Sequence, residues 1–338
     1  MKMNSTQQST IPSAITIMLK YFPLVATAIA VMFGSEAFAT PPSNDAQASA
    51  SILTQKNHWT STAADYTNVE ATNDGSSGSY GAPNNNVWFK FQATTEYINF
   101  KVLVYQAEGT LRGPGISLRN SSGTELDGIA SSSSTSTTDV GVEYISLTVN
   151  DWYYVSVQTY SSSNSYQGTF TLYVNDQAPP NHKIGAIALT QKNNWPSPLA
   201  FYDNSGATND GAAGCGDPNN NVWFKFQAET QYIYLKVKTG SSEGTLKGPG
   251  LALWNSSNAL VDCGASTTET STADQDIEVL TLTVGEWYYL SVFTFGTSST
   301  NEGTFSLHVN DQAPPNHKIG AIALTQKNNW PSPLAFYD

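Results

Sequence analysis

The sequence predicts an all-β protein: two β-sandwiches of jelly-roll type in tandem, behind an N-terminal signal peptide. Three observations predict it. First, the chain copies itself: PNNNVWFKFQA at 83–93 returns letter for letter at 218–228, an offset of 218 − 83 = 135 residues, and the segment 174–203 returns at 309–338 with the same offset. Second, each copy is built of short apolar/polar alternations separated by Gly, Asn, Ser and Asp, with no stripe of helical period long enough to matter. Third, aromatic residues make up 12% of the chain, too many for a disordered polar polymer in spite of runs such as 131–134.

The repeat divides the 338 residues into a signal peptide at 1–39, one sandwich at 41–175, a second at 176–310 and the start of a third copy at 311–338. A last copy that breaks off is expected of a fragment of a longer array. In the leader, Lys20 precedes an apolar run at 21–33, and Ala37-Phe38-Ala39 gives the small-x-small pattern of a signal-peptidase site. The run is shorter than the roughly 20 residues that span a bilayer, so no membrane span is expected in the mature chain. Met18 is an alternative start to Met1. Cleavage after Ala39 removes Lys2, Lys20 and Glu36, which leaves 15 − 2 = 13 basic and 27 − 1 = 26 acidic side chains, a net charge of −13. That balance excludes nucleic-acid binding through a basic footprint.

Each copy opens with an Ala-rich segment that ends in LTQKN and a Trp, at 53–59, 189–195 and 324–330. Strands are then predicted near 86–92, 97–104, 115–119, 143–149, 152–159 and 169–174, and again 135 residues on. The period-2 pattern assigns Ile98, Phe100 and Val102 to an inner face, with Tyr153, Val155, Val157, Phe170, Leu172 and Val174. In the stretch at 83–93, Val87, Phe89 and Phe91 fall on one side and Trp88 on the other. The asparagines before it are turn residues that accept strained backbone. Between copies the inner positions hardly change, whereas Asn99 becomes Tyr234, Arg119 becomes Trp254, Gln158 becomes Phe293 and Tyr173 becomes His308. A position that holds Arg in one copy and Trp in the other is expected to face solvent, so Trp254 is predicted to be an exposed aromatic.

The order of motifs is ATNDG at 71–75, PNNNVWFKFQA, EGTL at 108–111, an LTV…WYYxSV strand pair and a closing GTFxLxVND. It resembles the bacterial pre-peptidase C-terminal (PPC-like) domains and related sandwich repeats of large secreted proteins. The resemblance covers 41–310 and rests on strand patterns. It implies a non-catalytic appendage or a building block of a surface adhesin, with calcium or a matrix polymer bound by some relatives.

The residues themselves offer little catalysis. His182 and His317 are copies of one linker position, His58 precedes a Trp, and His308 replaces Tyr173; no Ser-His-Asp pattern, HExxH or phosphate loop occurs. The chain is therefore read as no enzyme. Recurrent carboxylates, Asp74, Asp127 and Asp139 with Asp210, Asp262 and Asp274, are the candidate calcium ligands, because hard cations take several carboxylate and carbonyl oxygens. Their alternative is solvated loop carboxylates, and no other cofactor is predicted. Cys215 and Cys263 occur together in the second copy, where the first has Tyr80 and Gly128. In an exported protein such a pair predicts a disulfide, free thiols or a metal site being the alternatives. Trp88 and Trp223 sit in an unchanged strand and are read as packing, which leaves Tyr234 and Trp254 as the candidate ligand platform. The function predicted is a secreted, non-catalytic adhesion or spacer array at the cell surface, meeting an extracellular polymer or surface ligand; the alternative is the accessory region of an extracellular hydrolase.

Overall fold

The structure is a computed structural model that describes residues 40–76, 78, 81–209, 215 and 218–323. The predicted signal peptide, Asp210, Tyr80 and residues 324–338 lie outside them. The first sandwich contains β1 (Ser51–Ile52), β2 (Trp59–Thr60), β3 (Tyr66–Thr67), β4 (Asn84–Gln92), β5 (Ile98–Leu103), β6 (Pro114–Asn120), β7 (Glu125–Ala130), β8 (Val140–Tyr144), β9 (Trp152–Thr159) and β10 (Thr169–Asn175). The second contains β11 (Ile187–Ala188), β12 (Trp195–Pro196), β13 (Tyr202–Asp203), β14 (Pro218–Gln227), β15 (Ile233–Lys238), β16 (Pro249–Asn255), β17 (Leu260–Ala265), β18 (Gln275–Val279), β19 (Trp287–Phe295) and β20 (Thr304–Asn310). The front sheet of the first runs β1-β4-β9-β6-β7 and its back sheet β2-β10-β5-β8, with β3 also on β10. The second sandwich repeats both orders, element for element.

Alternation places the core between the sheets. Val87, Phe89 and Phe91 on β4 and Val155 and Val157 on β9 meet Ile98, Phe100, Val102, Phe170, Leu172 and Val174 from the back sheet, all of them fully buried. The Phe91 and Phe100 rings, one from each sheet, lie 5.3 Å apart. The second core repeats this with Phe224, Phe226, Ile233, Leu235 and Val237. The asparagines behave as expected: the β4/β9 register slips between Asn84 and Val87, and Asn85 takes up the slip at φ +45. In the second copy Asn220 does so at φ +53.

Two strand expectations are corrected. The strand expected at 143–149 is β8, which ends at Tyr144; residues 145–149 form a loop that plugs the end of the sandwich. Leu147 is buried there, its N–H donates to the Glu96 carbonyl, and the Thr148 N–H donates to the Tyr153 hydroxyl. Strand β7 is absent from the expected set, because Asp127 and Gly128 break its alternation. It is held by its ladder to β6, which shifts register between Leu118 and Arg119.

Of the positions that differ between the copies, the two on the front sheet are not solvent-facing, which overturns the exposure predicted for Trp254, whereas Asn99, Tyr234, Tyr173 and His308 on the back sheet are half-buried. Trp254 is 7% exposed, Arg119 6%, Gln158 5% and Phe293 0%. The front sheet is covered on its outer face as well as its inner one. In the second sandwich Ala186, Trp223, Ala252, Trp254 and Phe293 form a separate buried cluster there, with Cys263, Ala265 and Tyr289 packed against it.

Candidate functional site

What covers that outer face is the chain segment that leads from one sandwich into the next. Residues 176–188, here called the arm, leave β10 and run into β11, which pairs parallel to β14. A short 3-10 turn, Lys183–Gly185, gives the arm its bend, and a Cβ on Gly185 would overlap the carbonyl oxygens of Ala178 and Pro179. Only glycine lets the arm fold back this closely on itself.

On one side the arm is fastened to the first sandwich. The Asp176 N–H donates to the Lys56 carbonyl, and the Thr95 hydroxyl donates to the Asp176 carbonyl at 2.7 Å. His182 is buried, with Nε2 3.3 Å from Oε1 of Glu143 on β8, and the same oxygen accepts from the Tyr97 hydroxyl at 2.6 Å. The hydrogen bond from His182 holds the Glu143 carboxyl below its ordinary value, against its burial and with help from Tyr97. Burial and then the Glu143 carboxylate push the Tyr97 hydroxyl far up, so it stays a donor. This trio forms a hydrogen-bonded latch.

On its other side the arm receives the second sandwich. The Trp223 N–H donates to the Pro180 carbonyl at 2.7 Å. Ala186 is buried against the tryptophan cluster, and the Lys183 ammonium sits 4.3 Å from the Tyr289 ring centre and 5.6 Å from that of Trp223. The same ammonium donates to the Asn258 side-chain carbonyl. Between arm and sheets lies a cleft of about 550 Å³ lined by Glu96 and Tyr97 from the first sandwich, Asp176 and Ile184 from the arm, and Lys225 and Tyr289 from the second.

The arm recurs after the second sandwich. His317 Nε2 lies 3.2 Å from Glu278 Oε1, which accepts from Tyr232 at 2.8 Å, and Asp311 bonds to Lys192 and Thr230 as Asp176 does to Lys56 and Thr95. Backbone angles agree: φ −107, ψ 140 at His182 and φ −99, ψ 143 at His317. The corresponding pocket, about 360 Å³, is lined by Tyr232, Asp311 and Ile319, the counterparts of Tyr97, Asp176 and Ile184.

The other predicted site residues are distributed differently. Cys215 and Cys263 form a disulfide. Asp74 accepts from the Gln47 N–H, Asp127 from Gly128, Asp139 from Val104 and Tyr105, and Asp262 from Cys263. Asp274 accepts from Thr239 and pairs with Lys236 at 3.0 Å. Asp127 and Asp262 thus bond to the residue after them, while Asp74, Asp139 and Asp274 tie separate segments together, and no group of three or more His, Cys, Asp or Glu able to hold a metal occurs among the described residues. Tyr234 is half-buried beside His308, their rings 5.9 Å apart, and burial followed by the nearby Asp276 raises its hydroxyl. His58 meets the Tyr173 hydroxyl and His308 meets Asn194. Trp88 and Trp223 are buried, as packing residues should be. Among the described residues no helix is long and apolar enough to cross a membrane.

Sequence reasoning saw the repeated His but missed the latch, although the signal was there: His182, Glu143 and Tyr97 all recur at an offset of 135 residues.

No family model matches the chain, and no curated protein matches it. Among solved structures it is similar to the N-terminal CBM22-1–CBM22-2 tandem domain from Paenibacillus barcinonensis, at 9% identity and TM-score 0.21 over 66% of this chain and 81% of that one. It is also similar to the tandem CBM51 modules of a family 98 glycoside hydrolase from Streptococcus pneumoniae, at 8% identity and TM-score 0.20 over 67% of this chain and 81% of that one. The CUB1-EGF-CUB2 domains of rat MASP-1 match at 6% identity and TM-score 0.20 over 77% and 99%. At such scores these likenesses assign neither family nor ligand.

Proposed function

We propose that this protein is an extracellular, non-catalytic spacer of the kind its PPC-like strand motifs imply, presenting its sandwiches at the cell surface in a fixed relative orientation. The observation that carries the reading is the joint. One arm conformation occurs after both sandwiches, with the same His–Glu–Tyr latch, and between the two sandwiches the arm is fastened on both sides. A linker that only had to connect would need neither a buried histidine nor a lysine enclosed by rings, and would read as flexible Gly and Ser. Fixed orientation suits display, since several weak contacts held at set spacing raise avidity without any one being strong. The disulfide and the predicted signal peptide support an oxidising, extracellular setting.

Residual dipolar couplings of the full chain test this. Couplings from 51–175 and from 187–310 should fit a single alignment tensor. Two tensors of different magnitude would show independently moving units and remove the spacer reading.

A further inference from the structure

The arm after the second sandwich is folded as the first arm is, yet among the described residues its outward side is exposed. Ala186 is buried and Lys183 half-buried in the joint between the sandwiches; their counterparts Ala321 and Lys318 are exposed. Ile322 is 60% exposed where Ile187 is partly buried. The bend survives without that contact: the turn Lys318–Gly320, the crowded Gly320 and the His317 latch are all in place. The arm therefore takes its shape from the sandwich before it. It is a half-joint formed before anything docks on it.

What docks is defined by the other joint, because 174–203 and 309–338 are the same sequence. There the arm meets Trp223 and Tyr289, which enclose its lysine, Asn258, which accepts from that lysine, and Trp254 and Phe293, which pack with its alanine. The first sandwich keeps Trp88 and Tyr154 for the first two but has Gly123, Arg119 and Gln158 for the other three. Gly123 offers no side-chain acceptor, and Arg119 puts a cation in the place of an aromatic ring. The first sandwich instead wears an N-terminal arm of different chemistry. Its Asn44 brackets Trp88 with two hydrogen bonds, Asp45 accepts from Thr72, and Gln47 stands where Lys183 does.

We propose that residues 311–323 are a preformed docking arm that selects a sandwich with the outer face of the second copy, marked by Trp254, Asn258 and Phe293, and rejects one with the face of the first. The residues that vary between copies then distinguish the two faces: the second copy's face accepts such an arm and the first copy's does not. This rests on the spacer reading, and the test separates the two.

Trypsin cuts after lysine, and Lys183–Ile184 and Lys318–Ile319 lie in the same NHKIGA sequence, so intrinsic site preference cancels. Two extended chains are compared, one continuing from Ile322 with residues 188–323 and one with residues 52–175. Appending the second sandwich should slow cleavage at Lys318–Ile319 at least tenfold, to the rate at Lys183–Ile184; appending the first should leave it fast. Asn258→Gly in the original chain supplies a variant that folds, since Asn258 is exposed at φ +61, a conformation glycine favours. It should speed cleavage at Lys183–Ile184 severalfold. Equal protection by both appended sandwiches would overturn the selectivity and leave the spacer reading standing. No protection by either, with no effect of Asn258→Gly, would overturn both.

Discussion

The two sandwiches pin the same outer loop by different chemistry. In the first, the loop before β4 is held by Arg119, whose guanidinium donates to the Ser76 carbonyl at 2.9 Å, to the Gly123 carbonyl at 3.1 Å and to Glu125 at 3.1 Å. In the second, Trp254 and Leu260 occupy the places of Arg119 and Glu125, and the Cys215–Cys263 disulfide ties the loop to β17. Each solution is a set. The arginine needs its carboxylate because both side chains are nearly buried, 7% and 12% exposed, and a buried charge left alone is costly. The tryptophan needs Phe293 beside it and a covalent tie where the ionic one has gone. A change from Arg to Trp thus marks a swap of packing chemistry at a covered position. Tolerance of both residues says nothing about exposure when their neighbours change with them.

The largest expected break in the comparison comes from reducing the disulfide. It joins residues 48 apart, and a closed loop of that size is worth about 4 kcal/mol in the chain-entropy account. Calorimetry with and without reductant should show one transition, that of the second sandwich, falling on the order of 15 °C while the other holds; a shift in both would mean that the sandwiches unfold as one. Next, Arg119→Ala strands Glu125 and should destabilise the first sandwich by about 3 kcal/mol. The triple change Arg119→Trp, Glu125→Leu, Gln158→Phe imports the second copy's packing residues without its disulfide and should recover part of that loss, as chemical denaturation of each variant would show. If the triple variant is weaker than Arg119→Ala, the sets are not exchangeable.

The smallest effect is at the latch. The Glu143 carboxyl lies below its ordinary 4.5 when folded, so its contribution is present in full above that pH and is lost as pH falls through the lowered folded value. Glu143→Gln should remove this acid dependence at a cost of about 1 kcal/mol near neutral pH, one hydrogen bond's worth. Amide exchange of residues 176–186 between pH 3 and 6 measures it; an unchanged pH profile in the variant would show that Glu143 does not fasten the arm.

Much of the fold was legible because sandwich strands alternate strictly. Ile98, Phe100 and Val102 could be assigned to the core from spacing alone, and all three are fully buried. Strand β7 was not legible, since Asp127 and Gly128 carry no alternation and the strand exists through its ladder to β6. The cysteine pair was legible from its joint presence in one copy. The candidate site was legible only in part: the repeated His, Glu and Tyr were visible, but their meeting at one oxygen depends on β8 and the arm arriving together from residues 39 positions apart.

By itself the sequence determined the two-fold repetition, the inner faces of the sheets and the disulfide partners, because these follow from period, identity and counting. Only the tertiary structure decided which outer positions are covered. An alternating strand specifies that a side chain points away from the core; whether water or another segment lies there depends on where the rest of the chain runs. Here the arm runs over it, so Trp254, predicted as a solvent-facing ligand platform, is part of the face by which the second sandwich is set against the arm.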